Sequence, residues 1–253
     1  LTGSPRAGRA VGARAGAAMK RAVLELGGSD PYVVLGDADV ELAATTAVAA
    51  RTLNSGQTCV AAKRFIVVEP LRAAFEEAVV QKMAALVVGD PLDERTDVGP
   101  LARLDLRDAL GSQVERSVAL GARVLFAAEV PDARAAYFPP LVLTSVTPGM
   151  PAFDDELFGP VAAIVTARDD DDALRLANAT RYGLGAVVFT RDVARGERIA
   201  TEGLEAGVTA VNLAVRSHPL VPFGGIRESG HGRELGLAGI RELTNVKAIW
   251  LPG

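Results

Sequence analysis

Residues 31–69 read PYVVLGDADVELAATTAVAARTLNSGQTCVAAKRFIVVE. PYVVLG (31–36) is an apolar run of strand length that ends in turn residues. Behind an aspartate cap, Val40, Ala43, Ala44, Ala47 and Val48 recur at helical spacing, which predicts a helix over 37–53. RFIVVE (64–69) reads as a second buried strand. Strand, helix and strand in succession open a pattern that the rest of the chain repeats. Between the helix and the second strand lies NSGQTCVAAKR (54–64), a glycine-broken polar loop with the only cysteine of the protein, Cys59.

Further along, a helix is expected over 70–87, with Leu71, Ala74, Phe75, Ala78, Val79 and Leu86 along one face. After the polar segment 89–101 come a helix over 103–120 and a strand over 122–127. Beyond the proline-rich YFPPLVL (137–143) follow strand 160–166, helix 169–180, strand 184–190, helix 192–205 and strand 207–212. Such alternation predicts an α/β fold: a mainly parallel open sheet flanked by helices. Ligands are then expected at the carboxyl ends of its strands. The acid run from Asp169 to Asp172 reads as a helix N-terminus facing solvent, where negative charge suits the helix dipole. In the other direction, RAVLEL (21–26) is a short apolar run before Gly27-Gly28, and TGSP (2–5) signals a helix start with Pro5 at its first position. Residues 1–24 carry Arg6, Arg9, Arg14, Lys20 and Arg21 without one acid. That composition can mark a transit peptide. The glycines at 3, 8, 12 and 16 read instead as structure, and the chain as a piece of something longer, cut inside a fold.

The 253 residues suffice for a full core, and 49% apolar with 23% charged residues is ordinary for a globular protein. A net charge of −4 gives no footprint for nucleic acid. No apolar run approaches the roughly 20 residues that span a bilayer. These features predict a soluble, cytoplasmic protein in which a free thiol stays reduced. One cysteine excludes an internal disulfide and a multi-cysteine metal site. No histidines and carboxylates have metal spacing, so no metal is expected.

Several loops hold more glycine and more functional groups than folding needs. TGSPRAGR (2–9) precedes a helix, and helix-start N–H groups attract phosphate, although a plain cap explains it as well. LELGG (24–28) places Glu25 near a strand end, either as a structural carboxylate or as a general base. Cys59 is either an inert thiol or a nucleophile. DDELFGPV (154–161) and VPFGGIRESGHGREL (221–235) complete the set.

Together these stretches resemble the aldehyde dehydrogenase superfamily over essentially the whole chain. LELGGSDPYVVLGDADVE is similar to the family's glutamate motif and NSGQTCVAAKRF to its active-site cysteine motif. DDELFGPV is similar to the segment that holds the nicotinamide ribose, and PFGGIRESGHGREL to the late glycine-rich signature. The resemblance implies that Cys59 attacks an aldehyde, that Glu25 activates the water that hydrolyses the resulting thioester, and that the Cys59 backbone N–H stabilises the oxyanion. It implies NAD or NADP as cofactor. Glu156 then holds the ribose and Phe158 packs near the nicotinamide. Gly3 and Ser4 lie against the pyrophosphate, with Gly8 completing that turn and Leu26 among the cofactor contacts. AAKRF, SHPLVPFGGI (217–226) and IRELTNVKAIW (240–250) resemble the bacterial succinate semialdehyde branch. Leu53 stands where some members of that branch place an arginine for the substrate carboxylate. Asn54, Arg216 and Ser217 are the remaining candidates for substrate contact.

By the same resemblance the chain is the C-terminal, catalytic-domain portion of such an enzyme. Residues 1–27 are the last helix and strand of the nucleotide-binding domain, 28–240 the catalytic domain and 241–253 a tail returning toward the cofactor and oligomer region. The full-length parent is expected to be a homo-oligomer acting on a small aldehyde, and the isolated chain to bind cofactor poorly. The alternatives are a non-catalytic interaction or assembly module, a cysteine hydrolase using His218 or His231 as base, and a branch that hands the thioester to CoA.

Overall fold

The computed structural model describes residues 1–132 and 134–253. Its centre is the unit quoted above. β2 (Pro31–Val34) and β3 (Arg64–Val68) pair in parallel, with Tyr32 opposite Phe65 and Val33 opposite Ile66. α2 (Val40–Thr52) crosses between them and starts where the Asp39 side chain accepts the Leu42 N–H at 3.0 Å. It buries Ala43, Ala44, Ala47 and Val48, the stripe expected from their spacing. The sheet grows on both sides in the order β4-β5-β6-β3-β2-β7-β8. β5 (Leu141–Thr144), β6 (Val161–Ala167), β7 (Gly185–Phe189) and β8 (Val208–Val211) run parallel to the centre, and β4 (Arg123–Ala127) is an antiparallel edge.

Alternate residues of each strand feed two cores. Val33, Ile66 and Val165 meet Leu110 and Val114 of α4 (Leu104–Ala119) and Leu176 of α6 (Asp170–Asn178). Tyr32, Val34, Phe65 and Val67 meet α2 and the Phe75, Val79 and Met83 face of α3 (Arg72–Ala84). Each large apolar side chain so buried contributes about 1.5–3 kcal/mol. A smaller ribbon lies beside the sheet: β1 (Leu24–Glu25) pairs antiparallel with β9 (Gly230–His231). α1 (Pro5–Ala17) packs on it, capped by the Ser4 side chain as TGSP predicts.

Three expectations change, and one stretch left without an element proves to be a strand. Leu141–Thr144 is a fully buried strand although two prolines precede it, because the prolines end before the ladder begins. The helix expected over 192–205 is α7 (Val193–Arg198) followed by a π-helical turn, Ile199–Gly203. Asp169 does cap α6, but Asp172 does not face solvent: it is buried and bonds to Arg168 and Arg175. Finally, the glycine-rich loops gather at the amino ends of the parallel strands. The carboxyl ends are taken up by their own connections: Gly36 N–H and Arg195 bind Asp170, and Asp37 accepts from Thr190.

Candidate active site

Three loops meet where β2, β3 and β6 begin, and they meet backbone to backbone. After α2 the chain turns through Asn54 (φ 52°), Ser55 (φ 55°) and Gly56 (φ 75°), a left-handed run that leads to Cys59. Gly56 lies so close to Gly159 that a Cβ there would stand 2.3 Å from the Gly159 carbonyl oxygen. Gly28 backs on Cys59 in the same way: its Cβ would stand 2.2 Å from the Cys59 carbonyl oxygen. The Gly28 N–H donates to Glu156 Oε1 at 3.0 Å. Cys59, Gly28 and Glu156, from three separate motifs, therefore form one cluster.

Residues the sequence reading passed over hold this cluster. Lys63, fully buried, donates its ammonium to the carbonyls of Phe153 (2.7 Å) and Asp155, anchoring the strand entry that carries Glu156. Gln113 donates to the Glu156 carbonyl at 3.0 Å. Arg64 reaches the Ser29 carbonyl and, at the end of α6, the carbonyls of Leu176 and Ala177. Asp30 accepts from Gly185 N–H at 3.0 Å, and its main-chain oxygen takes the N–H groups of Lys63 and Arg64. Two signals in the sequence point to these groups: the basic pair Lys63-Arg64 at the mouth of an apolar strand, and Arg51 on the same helical stripe as Ala44, Ala47 and Val48.

The electrostatics are those of a buried cluster of both signs, with Arg51, Lys63 and Arg64 beside Asp30 and Glu156. Burial pushes the Cys59 thiol up to about 11, and the carboxylates of Asp30 and Glu156 add to the shift. Burial likewise raises Glu156, against the pull of the Gly28 N–H and the Arg51 cation, and brings Asp30 to about 7. Glu25 is buried, and neither of its carboxylate oxygens finds a hydrogen-bond partner among the described residues. It too is raised to about 7, by burial and then by Glu234, with Arg233 opposing. Its carboxylate packs against Gly224. Glu25 is joined to the cysteine cluster through Gly27-Gly28, while its side chain faces the late glycine-rich segment rather than the thiol.

The other expected residues divide. Phe158 is 37% exposed beside Glu156. Gly3 and Ser4 lie exposed at the start of α1, with the Gly3 N–H on the Glu25 carbonyl. Gly8 closes the first turn of α1, its N–H donating to the Ser4 carbonyl at 2.9 Å. It lies inside α1, buried against the Leu26 side chain, where any larger residue would collide. Leu26 is correspondingly buried. The Asn54 amide is exposed and donates to the Gln57 carbonyl, while the Gln57 amide donates to the Asn54 main-chain carbonyl. Arg216 and Ser217 are exposed on the loop after β8. His218 accepts from Leu220 N–H and His231 pairs with Leu24; neither imidazole hydrogen-bonds to Cys59 among the described residues. Among those residues no group of three or more His, Cys, Asp or Glu is set to hold a metal, and no helix is long and apolar enough to cross a membrane.

The model of the aldehyde dehydrogenase family matches residues 1–249. The chain is 51% identical over 250 residues to the succinate semialdehyde dehydrogenase [NAD(P)+] Sad of Escherichia coli (strain K12), covering 99% of this chain and 54% of that protein. It is 46% identical over 251 residues to a succinate-semialdehyde dehydrogenase [NADP(+)] of Mycobacterium ulcerans (strain Agy99), covering 99% and 55%. The crystal structure of the succinic semialdehyde dehydrogenase of Streptococcus pyogenes with NADP+ superposes with a TM-score of 0.95 at 32% identity, over 100% of this chain and 55% of that one. The chain thus spans about half the length of the curated relatives it matches. By family model, sequence and fold, it belongs to the aldehyde dehydrogenase family.

Proposed function

We propose that this chain carries the chemical centre of an enzyme that oxidises an aldehyde to its carboxylic acid with NAD or NADP, and that the aldehyde is succinate semialdehyde. The observation that carries the reading is the meeting of Cys59, Gly28 and Glu156 at one strand edge, with the unpartnered carboxylate of Glu25 three residues from Gly28. Cys59 is the nucleophile: once its thiol has given its proton to water, the sulfur adds to the carbonyl carbon, and the carbonyl oxygen takes the negative charge near the Cys59 N–H. A bound nicotinamide would supply the hydride acceptor that oxidation of this adduct to a thioester needs. Glu25 then takes a proton from water, the hydroxide adds to the thioester carbon, and the acid leaves as sulfur regains its electron pair. A carboxyl near 7 suits that base role.

The residues present fit such a cofactor. α1 starts without an acidic residue, with exposed Gly3 and Ser4 and the nearby cation Arg6, as suits an anionic group, while Arg9 is paired with Glu228. Glu156 and Phe158 would hold its nicotinamide end, and Leu26 would back α1 through Gly8. Residues 1–27 are then the end of a nucleotide-binding domain, 28–240 the catalytic domain and 241–253 the returning tail. Arg216, Ser217 and Asn54 remain the candidates for the substrate carboxylate. A homo-oligomer in the cytoplasm completes the reading, supported by the exposed Val246, Ile249, Trp250 and Leu251 of the tail.

A second reading, an interaction or assembly module without turnover, draws on the thiol held at about 11 and the turn of Glu25 away from it. A panel of aldehydes with each cofactor separates the two. Reduction of NAD or NADP that is fastest with the carboxylate-bearing aldehyde and lost in Cys59→Ser supports the enzyme. Equal rates on uncharged aldehydes remove the substrate assignment, and no reduction with any aldehyde favours the module.

A further inference from the structure

Arg51 lies in the last turn of α2 and is buried to 1% exposure. Its Nη2 donates to the Gly56 carbonyl at 2.8 Å, within the left-handed run that presents Cys59. Its Nε and Nη1 have no hydrogen-bond partner among the described residues. A buried guanidinium with two nitrogens unpaired is expensive unless charge balances it. The groups that balance it are Glu156 and Asp30, with the phenol of Tyr32 beside them. These are the two carboxylates whose charge reaches the Cys59 thiol. The other buried cations near the loop, Lys63 and Arg64, are committed to main-chain carbonyls of Phe153, Asp155, Ser29, Leu176 and Ala177.

We propose that Arg51 is a positioning residue of this site: it fixes the cysteine loop through the Gly56 carbonyl, and its charge offsets Asp30 and Glu156 so that the Cys59 thiolate can form. The proposal rests on Cys59 as the nucleophile and adds the group that makes it usable. Asp30 titrates near 7, below the thiol, so it is negative where the thiol loses its proton. Without the cation, the thiolate faces Asp30 and Glu156 with less to offset them, since only Arg64 then acts on Asp30 and only Lys63 and Arg181 on Glu156.

The single cysteine lets alkylation by iodoacetamide, followed by mass spectrometry across pH 7–10, report on this thiol alone. Arg51→Gln, uncharged but still an amide donor, is expected to slow alkylation at pH 8 by about tenfold or more, one unit of thiol shift. Arg51→Lys, which keeps the charge, is expected to stay within about threefold of the parent. A residue that merely props the loop gives the opposite result: its loss exposes the thiol and speeds alkylation. Unchanged or faster alkylation in Arg51→Gln overturns the proposal, as does a lysine variant as slow as the glutamine one. Should Arg51→Gln not fold, it is made together with Asp30→Asn, which removes a buried carboxylate left unbalanced. The double variant must still alkylate more slowly than Asp30→Asn alone, and equal rates overturn the proposal. Alkylation needs no aldehyde and no cofactor, so it can fail while turnover stands, and succeed where turnover fails.

Discussion

Cys59 and Glu25 stand in contrasting surroundings although two glycines connect their neighbourhoods. The thiol is half-buried beside two carboxylates and rests protonated, near 11. Glu25 has no donor for either oxygen among the described residues and titrates near 7, so at neutral pH it is poised to take a proton. A general base must be ionised to act, so its step quickens as pH rises through its pKa and levels above it. Hydrolysis of the Cys59 thioester is therefore expected to climb about tenfold per pH unit below 7 and flatten above, and Glu25→Gln is expected to lose that limb. Stopped-flow or quenched measurement of thioester decay over pH 5.5–9 checks this. An inflection near 7 that survives in the glutamine variant would assign it to another group, with Asp30 the first suspect.

At the scale of elements, the site depends on loops that enter strands and touch through bare backbone. Gly28→Ala would drive a methyl group into the Cys59 carbonyl, and that carbonyl belongs to a turn with little room to move. Overpacking of this kind costs about 1–3 kcal/mol, and here it also displaces Cys59. The expected outcome is a lower midpoint in urea together with a loss of aldehyde oxidation larger than the unfolded fraction explains. A stable Gly28→Ala protein of full activity would show that the close approach has no role. Much of this architecture is legible in the sequence. The stripe from Val40 to Val48 and the runs at 31–36 and 64–69 state the strand–helix–strand unit, because apolar periodicity and burial are the same fact seen twice. Leu141–Thr144 is hidden because prolines before a strand look like prolines against one. The sense of the sheet edge is hidden too. Which end carries the site depends on where Asp37, Asp170 and Thr190 cap the opposite end, a matter of contacts more than 130 residues apart in sequence. Glycine spacing does reveal which loops matter, but not that they meet through Gly28 and Gly56, nor that Glu25 turns toward Arg233 and Glu234.

For the whole molecule, a complete seven-stranded sheet and its two cores coexist with a large open apolar face. A trough of about 1040 Å³ runs between α1 and α8 (Gly236–Glu242), with Leu1, Val11, Leu237, Ile240 and Leu243 in its walls and Glu25 at one end. Beyond it the tail leaves Trp250, the only tryptophan, 94% exposed. The open apolar surface thus borders Glu25. Whether this arrangement performs the proposed chemistry is read most directly by trapping the acylated protein. Glu25→Gln is mixed with succinate semialdehyde and NADP or NAD, quenched in acid and digested, and the Cys59 peptide is weighed; one slow turnover is enough to mark it. The account predicts a succinyl group on Cys59 that forms only when aldehyde and oxidised cofactor are both present. An unmodified Cys59 peptide in a protein that nonetheless reduces the cofactor would contradict it.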